Sequence, residues 1–172
     1  MPEALKNKAG HGATWSFIDN LSNSGVTFLV GLILARLLTP AEYGIMAMIA
    51  IFIAVSNSIV DSGFSNALIR KVHIEKVDYN TVFLFNLIVS IVLYILLYVA
   101  APAISLFFKE LVLIDVLRVI GLILIVNALG IIPRTILVRG IDFKTQTKVS
   151  IISSVSGGLV GVGMAIVGFG VW

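Results

Sequence analysis

The sequence predicts an all-α integral membrane protein with five transmembrane helices, and three observations carry that reading. Apolar residues make up 59% of the 172 positions, where soluble domains hold about 45–50% even with glycine counted. Charged residues are 12%, about half the usual share. Long apolar runs follow one another at 13–38, 43–59, 81–108, 111–132 and 149–172, with short polar joints between them. A helix of about 20 mostly apolar residues crosses a hydrocarbon core of roughly 30 Å. The expected organisation is a short N-terminal segment, 1–12, followed by spans at about 13–38, 43–66, 79–108, 111–133 and 146–172.

The N-terminal segment carries Lys6 and Lys8. The first apolar run is too long for a signal peptide, and Ala35-Arg36-Leu37 is a weak cleavage site, so the run reads as a permanent helix. Thr39-Pro40-Ala41-Glu42 has the form of a capping box: a Thr cap, Pro in the first turn and Glu reaching back to the cap amide. It starts the second helix directly after the first. Asp61-Ser62-Gly63 is expected to loosen the end of the second helix, because Gly accepts the left-handed turn found there. Pro102 should bend the third span near its end, and Lys109-Glu110 is the whole joint to the fourth. Residues 134–148 read as the longest basic joint. Ile136, Leu137, Ile141 and Phe143 among its charges suggest a turn of helix lying on the membrane surface. In the fifth span Gly157, Gly161, Ala165 and Gly168 form a small-residue stripe, with Gly157-x-x-x-Gly161 as a close-approach motif.

Threading five spans places Lys6, Lys8, Arg70, Lys71, Lys76, Arg134, Arg139, Lys144 and Lys148 on one side and Arg36, Lys109 and Arg118 on the other. Lys and Arg concentrate on cytoplasmic loops, so the N-terminus is expected in the cytoplasm. The formal charge of +3 does not point to nucleic acid, since the cations sit in joints and form no patch with interleaved aromatics. There is no cysteine, which excludes disulfides and thiolate chemistry. Phosphate-loop, zinc-protease and serine-hydrolase motifs are missing, so the chain does not read as an enzyme. His11 and His73 stand alone, without metal-ligand company, and no cofactor is expected.

Polar residues inside the spans are the candidate site. Asp19, Asn20, Ser22, Asn23 and Ser24 lie in the first half of span one, and Asn57, Ser58 and Asp61 lie late in span two. Asn86 and Ser90 lie early in span three, Asn127 late in span four, and Ser150, Ser153, Ser154 and Ser156 early in span five. Up-and-down threading brings these segments to one depth on the cytoplasmic side. A charge at the membrane centre costs at least about 2.5–3.5 kcal/mol, so such groups need partners or water. The arrangement this suggests is a wet vestibule open to the cytoplasm. Each residue also has a plainer reading. The serines and glycines of span five fit packing and interhelical hydrogen bonds, as do the isolated asparagines. Asp19 and Asn23 are one turn apart and point the same way, so Asp19 either lines a cavity or holds a structural hydrogen bond. Asp61 fits a cavity or a helix end. Asp115 and Arg118 read as a surface pair.

Gly31-Leu32-Ile33-Leu34-Ala35-Arg36-Leu37-Leu38-Thr39-Pro40-Ala41-Glu42-Tyr43-Gly44 resembles the opening of bacterial polysaccharide biosynthesis flippases, which export lipid-linked repeat units such as those of O-antigen lipopolysaccharide. These belong to the multidrug/oligosaccharidyl-lipid/polysaccharide (MOP) superfamily. Asp61-Ser62-Gly63-Phe64-Ser65-Asn66-Ala67-Leu68-Ile69-Arg70, Leu137-Val138-Arg139-Gly140-Ile141-Asp142-Phe143-Lys144 and Gly168-Phe169-Gly170-Val171-Trp172 follow in the same order. The resemblance implies a MATE-like fold of twelve or more helices in two bundles around a cavity that opens to either side. This chain would be the N-terminal part of one bundle, about a third of the whole. It also implies a bacterial inner-membrane location and an undecaprenyl-pyrophosphate-linked glycan as substrate, with a glycan polymerase or export machinery as candidate partners beside the lipid bilayer. Asn23, Asn57 and Asn127 suit sugar hydroxyls, because an amide both donates and accepts. Arg36, Arg70, Arg134 and Arg139 are candidate pyrophosphate contacts, since guanidinium binds phosphate oxygens in a fork, and Arg134 and Arg139 are favoured as lying on the loading side. Asp19 or Asp61 is the candidate for coupling to H⁺ or Na⁺. Two alternatives remain open: an ion-coupled multidrug antiporter of the same superfamily, and a non-transporting scaffold that binds partner helices through the Gly157 stripe.

Overall fold

Helical periodicity and chain punctuation account for each element. The computed structural model describes residues 2–60, 68–69, 71, 75–140 and 142–172, with side chains from Thr14 onward apart from Lys76. Its long helices are α1 (Pro2–Leu37), α2 (Pro40–Val60), α3 (Lys76–Phe108), α4 (Val112–Ile120), α5 (Leu122–Arg139) and α6 (Phe143–Val167), and no strand occurs among the described residues. Five stretches are long and apolar enough to cross a membrane: Thr14–Leu37, Pro40–Val60, Val77–Phe108, Val112–Arg139 and Phe143–Val167. The protein is thus all-α and fitted to a bilayer.

Helix α1 has 36 residues, about 54 Å at 1.5 Å per residue. It takes in the N-terminal segment as well as the first apolar run. Leu38 and Thr39 separate it from α2, which starts at Pro40 with Glu42 in its first turn. Proline is suited to that first turn because its missing N–H would have no helical partner there. Asp61, with Ser62, Gly63 and Arg70, lies outside the described residues.

Helix α3 begins where the Asp78 carboxylate accepts the Glu75 amide at 3.0 Å and holds Lys71 Nζ at 2.7 and 2.8 Å. It runs through Pro102 to Phe108. The joint to α4 is one residue longer than Lys109-Glu110, since Leu111 is also in the turn. Lys109 takes the left-handed conformation (φ 58), and the Ser105 hydroxyl donates to the Glu110 carbonyl at 2.8 Å. Helices α4 and α5 form one span through Gly121, whose amide still donates to the Leu117 carbonyl at 2.9 Å. Gly121 is required by close approach: a Cβ there would lie 3.1 Å from Tyr94 Cδ2 and 3.3 Å from Leu97 Cδ2 of α3.

The expected basic joint at 134–148 is largely helix instead. Helix α5 continues past Pro133 to Arg139, because apolar Ile136, Leu137 and Val138 sustain the helix beyond the first charge. Only residues 140–142 lie between α5 and α6. Asp142 caps α6, accepting the Thr145 amide at 3.1 Å and the Thr145 hydroxyl at 2.7 Å. Ile136 and Leu137 thus lie in α5 and Phe143 in α6, while Ile141 lies outside the described residues.

The chain divides into two compact units, 1–40 with 136–172, and 41–135. The first consists mainly of α1 and α6. Trp15 meets Thr147, Asn23 meets Ser150 and Ser154, and Gly158 meets Val26 and Val30. Both sets of numbers rise together, so the two helices run parallel. The second unit has a buried stripe on each helix. It consists of Ile45, Ile49, Ser56 and Val60 on α2, Asn86, Ser90, Leu97, Ala101 and Ser105 on α3, and Leu113, Val116, Leu117, Leu124, Ala128 and Thr135 on α4 and α5. Steps of three, four and seven keep each set on one helical face. The Phe52 and Phe108 rings meet edge to face, 6.4 Å between centroids. Helices α3 and α4 run antiparallel, Tyr98 facing Arg118 while Tyr94 faces Gly121.

Candidate functional site

Two sets of candidate residues are each assembled within one unit. In the first, the Asn23 amide is the hub. Its Nδ2 donates to Asp19 Oδ1 at 2.8 Å and to Ser150 Oγ at 2.6 Å, while the Ser154 hydroxyl donates to its Oδ1. An amide offers two donors and two acceptor lone pairs, so three of its four bonds are made. Asp19 and Asn23 are half-buried. One rung below, the Thr147 hydroxyl donates to the Trp15 carbonyl at 3.2 Å, and Lys144 Nζ stands 6.0 Å from the Trp15 ring centroid. One rung above, Gly158 closes the seam against Val30.

The i to i+4 spacing of Asp19 and Asn23 does bring their side chains together, and the matching spacing of Ser150 and Ser154 lets both reach the same amide. The sequence reads those serines as packing or interhelical hydrogen-bonding residues, and they make interhelical hydrogen bonds. Their four-residue step, equal to that of Asp19 and Asn23, was the available signal. The close approach is made by a different glycine from the one the motif suggests. A Cβ at Gly157 or Gly161 would meet nothing within 4 Å, whereas one at Gly158 would lie 2.6 Å from Val30 Cγ2. Adjacent positions on a helix are about 100° apart around the axis, so the seam uses Gly158 and leaves the GxxxG face open.

In the second unit, Asn127 Nδ2 donates to Asn57 Oδ1 at 3.1 Å, bridging α5 and α2. The bond leaves the Asn57 amino group and the Asn127 carbonyl with capacity for further hydrogen bonds. Asn86 differs: it is 1% exposed, and neither its Nδ2 nor its Oδ1 has a hydrogen-bond partner. Ser90, one turn later, donates to the Leu87 carbonyl at 2.8 Å.

The cationic candidates are less gathered. Arg134 is exposed and Arg139 half-buried. Five residues apart on α5, they point about 140° away from each other around the axis. Arg36 is exposed in the last turn of α1, and Asp61 and Arg70 are outside the described residues. Arg118 does not pair with Asp115. Its guanidinium carbon lies 4.3 Å from the Tyr98 ring centroid, because α3 presents an aromatic face where Asp115 is exposed. In the turn between α5 and α6, the Asp142 carboxyl is held below the usual carboxylate range. Its hydrogen bonds from the Thr145 hydroxyl and amide are the main cause, and Lys144 and Lys148 add to it. Among the described residues no group of three or more His, Cys, Asp or Glu could hold a metal ion.

Apolar spans carrying hydrogen-bonded amide and serine clusters define a multi-pass membrane protein. Residues 33–172 match the family described as polysaccharide biosynthesis protein, and the chain belongs to that family. It is 28% identical over 158 residues to the succinoglycan biosynthesis transport protein ExoT of Rhizobium meliloti (strain 1021), covering 92% of this chain and 32% of the relative. It is 25% identical over 144 residues to the teichuronic acid biosynthesis protein TuaB of Bacillus subtilis (strain 168), covering 84% and 30%. It is 24% identical over 102 residues to the lipopolysaccharide biosynthesis protein WzxC of Escherichia coli (strain K12), covering 59% and 21%. The chain therefore spans about a third of the length of the first of these relatives. No solved structure matches it.

Proposed function

We propose that this chain forms part of a carrier that moves lipid-linked oligosaccharide or polysaccharide repeat units from the cytoplasmic to the outer face of a bacterial inner membrane by alternating access. The observation that carries the reading is the pair of amide clusters, Asp19–Asn23–Ser150–Ser154 and Asn57–Asn127, set within helices otherwise fitted to lipid. Family membership and the transport named for one relative support it. Sugars cannot cross hydrocarbon bare, because each unsatisfied polar group costs several kcal/mol. Side chains that both donate and accept can replace the water that sugar hydroxyls lose. The lipid tail stays in the bilayer, and the step moves a molecule without making or breaking a bond. Arg134 or Arg139 meets the pyrophosphate at the loading side, and Asp19 or Asp61 couples the movement to H⁺ or Na⁺.

The test is glycan export in cells that carry the whole protein. Asn57→Leu with Asn127→Leu should reduce export at unchanged protein level, and Asp19→Asn should change its ion dependence. Unchanged export in the double variant removes the amide pair from the path. Unchanged export with unchanged ion dependence removes Asp19 from the coupling. Resistance to cationic drugs, in place of glycan export, would instead mark a multidrug antiporter. Cysteines placed at 19, 23 and 57 should react with water-soluble thiol reagents added from the cytosol. Failure to label in an inward-open carrier would remove the wet vestibule.

A further inference from the structure

Arg118 stands six residues into a 28-residue apolar span that starts at Val112, about 9 Å along the axis from its first residue. An arginine at that depth is expensive unless it has a partner, and intramembrane cations mark binding sites or pathways. The only interaction found for it among the described residues is with the Tyr98 ring, 4.3 Å from the guanidinium carbon. Its Nε is buried and has no hydrogen-bond partner. The ring does not accept the N–H hydrogen bonds that the guanidinium offers in its plane, so the fork still lacks an acceptor.

The brace is built into the fold. Tyr98 meets Tyr94 with 6.1 Å between centroids, and Tyr94 in turn packs against Gly121, where no larger residue fits without displacement. Gly121 lies three residues after Arg118 on the same span. The ring that Arg118 lies over is therefore itself held in place, which leaves the arginine less side-chain freedom to lose on binding. A planar fork of N–H donors, fixed in position near the end of a membrane span, matches the oxygens of a phosphate. The headgroup zone next to the hydrocarbon is where membrane phosphates lie.

We infer that Arg118, braced on Tyr98, binds the phosphate group of a lipid at the end of the second unit marked by the Lys109–Glu110–Leu111 turn. The phosphate belongs either to a bilayer headgroup or to a lipid-linked substrate. The inference does not depend on the transport reading.

The experiment uses the whole protein in the phosphate-free detergent dodecyl maltoside, with phosphatidylglycerol or undecaprenyl pyrophosphate added at a few mole per cent of the detergent. Binding is read by native mass spectrometry and by the shift in thermal unfolding. Arg118→Gln should weaken binding about tenfold or more, as expected for loss of charge-assisted hydrogen bonds. Arg118→Lys should keep part of the affinity, as a point charge without the fork. Tyr98→Leu should weaken it severalfold and Tyr98→Phe should not. Stabilisation by phosphatidylglycerol assigns the site to a headgroup, and stabilisation by undecaprenyl pyrophosphate alone assigns it to a substrate lipid. Wild-type affinity in Arg118→Gln overturns the inference and leaves Arg118 as a cation reaching for water. If Arg118→Gln does not fold, the two tyrosine variants decide: equal affinity in Tyr98→Leu and Tyr98→Phe overturns it as well.

Discussion

The two units hold themselves together by different means. In the α1–α6 pair the only buried side chain on α6 is Thr147, and the seam is a ladder of polar contacts closed by one glycine. In the second unit, Leu113, Leu117 and Leu124 are fully buried, and each helix turns a buried stripe inward in which apolar residues alternate with Ser56, Asn86, Ser90, Ser105 and Thr135. The contrast is informative because lipid removes the usual driving force. Acyl chains are as apolar as leucine, so helices in a bilayer associate through packing, hydrogen bonds and small-residue approaches. The second unit relies mainly on buried side-chain packing, with the Asn57–Asn127 bond beside it, and the α1–α6 pair on a few directed bonds. Directed polar bonds leave donors and acceptors in reach of water or ligand.

Mutations can sharpen or break this contrast, all read as thermal or denaturant unfolding in the same detergent. The largest effect is expected at Leu117, 0% exposed. Leu117→Ala should cost about 2–3 kcal/mol, the lower end of the range in soluble cores, because in lipid the cavity term persists while the transfer term largely vanishes. A cost below about 0.5 kcal/mol would mean that the second unit is not held by packing. Next is Gly158→Leu, which should cost about 1–3 kcal/mol by overpacking, while Gly157→Leu on the open face should be nearly neutral. The reverse order would return the seam to the GxxxG face and favour a scaffold binding partners there.

Asn23→Leu removes the hub of the polar ladder and should cost about 1–2 kcal/mol, since interhelical bonds in membranes average about 0.6 kcal/mol each. A neutral result would show that the ladder does not hold the pair. Asn86→Leu should go the other way. Its amide is buried without partners, and replacing such a group by an apolar one of similar size is neutral or stabilising by about 1 kcal/mol. Destabilisation there would reveal a bound water or ligand on the amide.

The smallest effect concerns acid. The Asp142 carboxyl is lowered from its ordinary 3.8, so the folded state binds this proton less tightly than the unfolded chain. Its contribution is complete above the unfolded value and fades as the pH falls through the lower folded one. Asp142→Asn should flatten the acid limb of the stability curve below about pH 4, and an unchanged limb would remove the cap from the account.

Much of the architecture was legible in residue order. Apolar runs located five membrane-fitted helices, Pro40 and Glu42 marked the start of α2, and the four-residue step of Asp19 and Asn23 foretold their contact. The ordered motifs from Gly31 to Trp172 pointed to the polysaccharide biosynthesis family. The basic stretch 134–148 is divided between α5 and α6, because a charge such as Arg134 does not end a helix whose apolar neighbours continue it. The sequence could not show that Ser150 and Ser154 would converge on Asn23, since that depends on α1 and α6 running side by side in parallel.

Local hydropathy by itself determined what surrounds each segment, since a helix must satisfy its own backbone wherever water is absent. Tertiary structure alone decided the partners. Gly158 makes the seam in place of Gly157, Arg118 lies on Tyr98 in place of Asp115, and Asn86 is sealed in without an acceptor. These outcomes turn on rotation of each helix about its axis. A membrane sequence marks that rotation weakly, because the face toward lipid and the face toward a neighbouring helix are equally apolar.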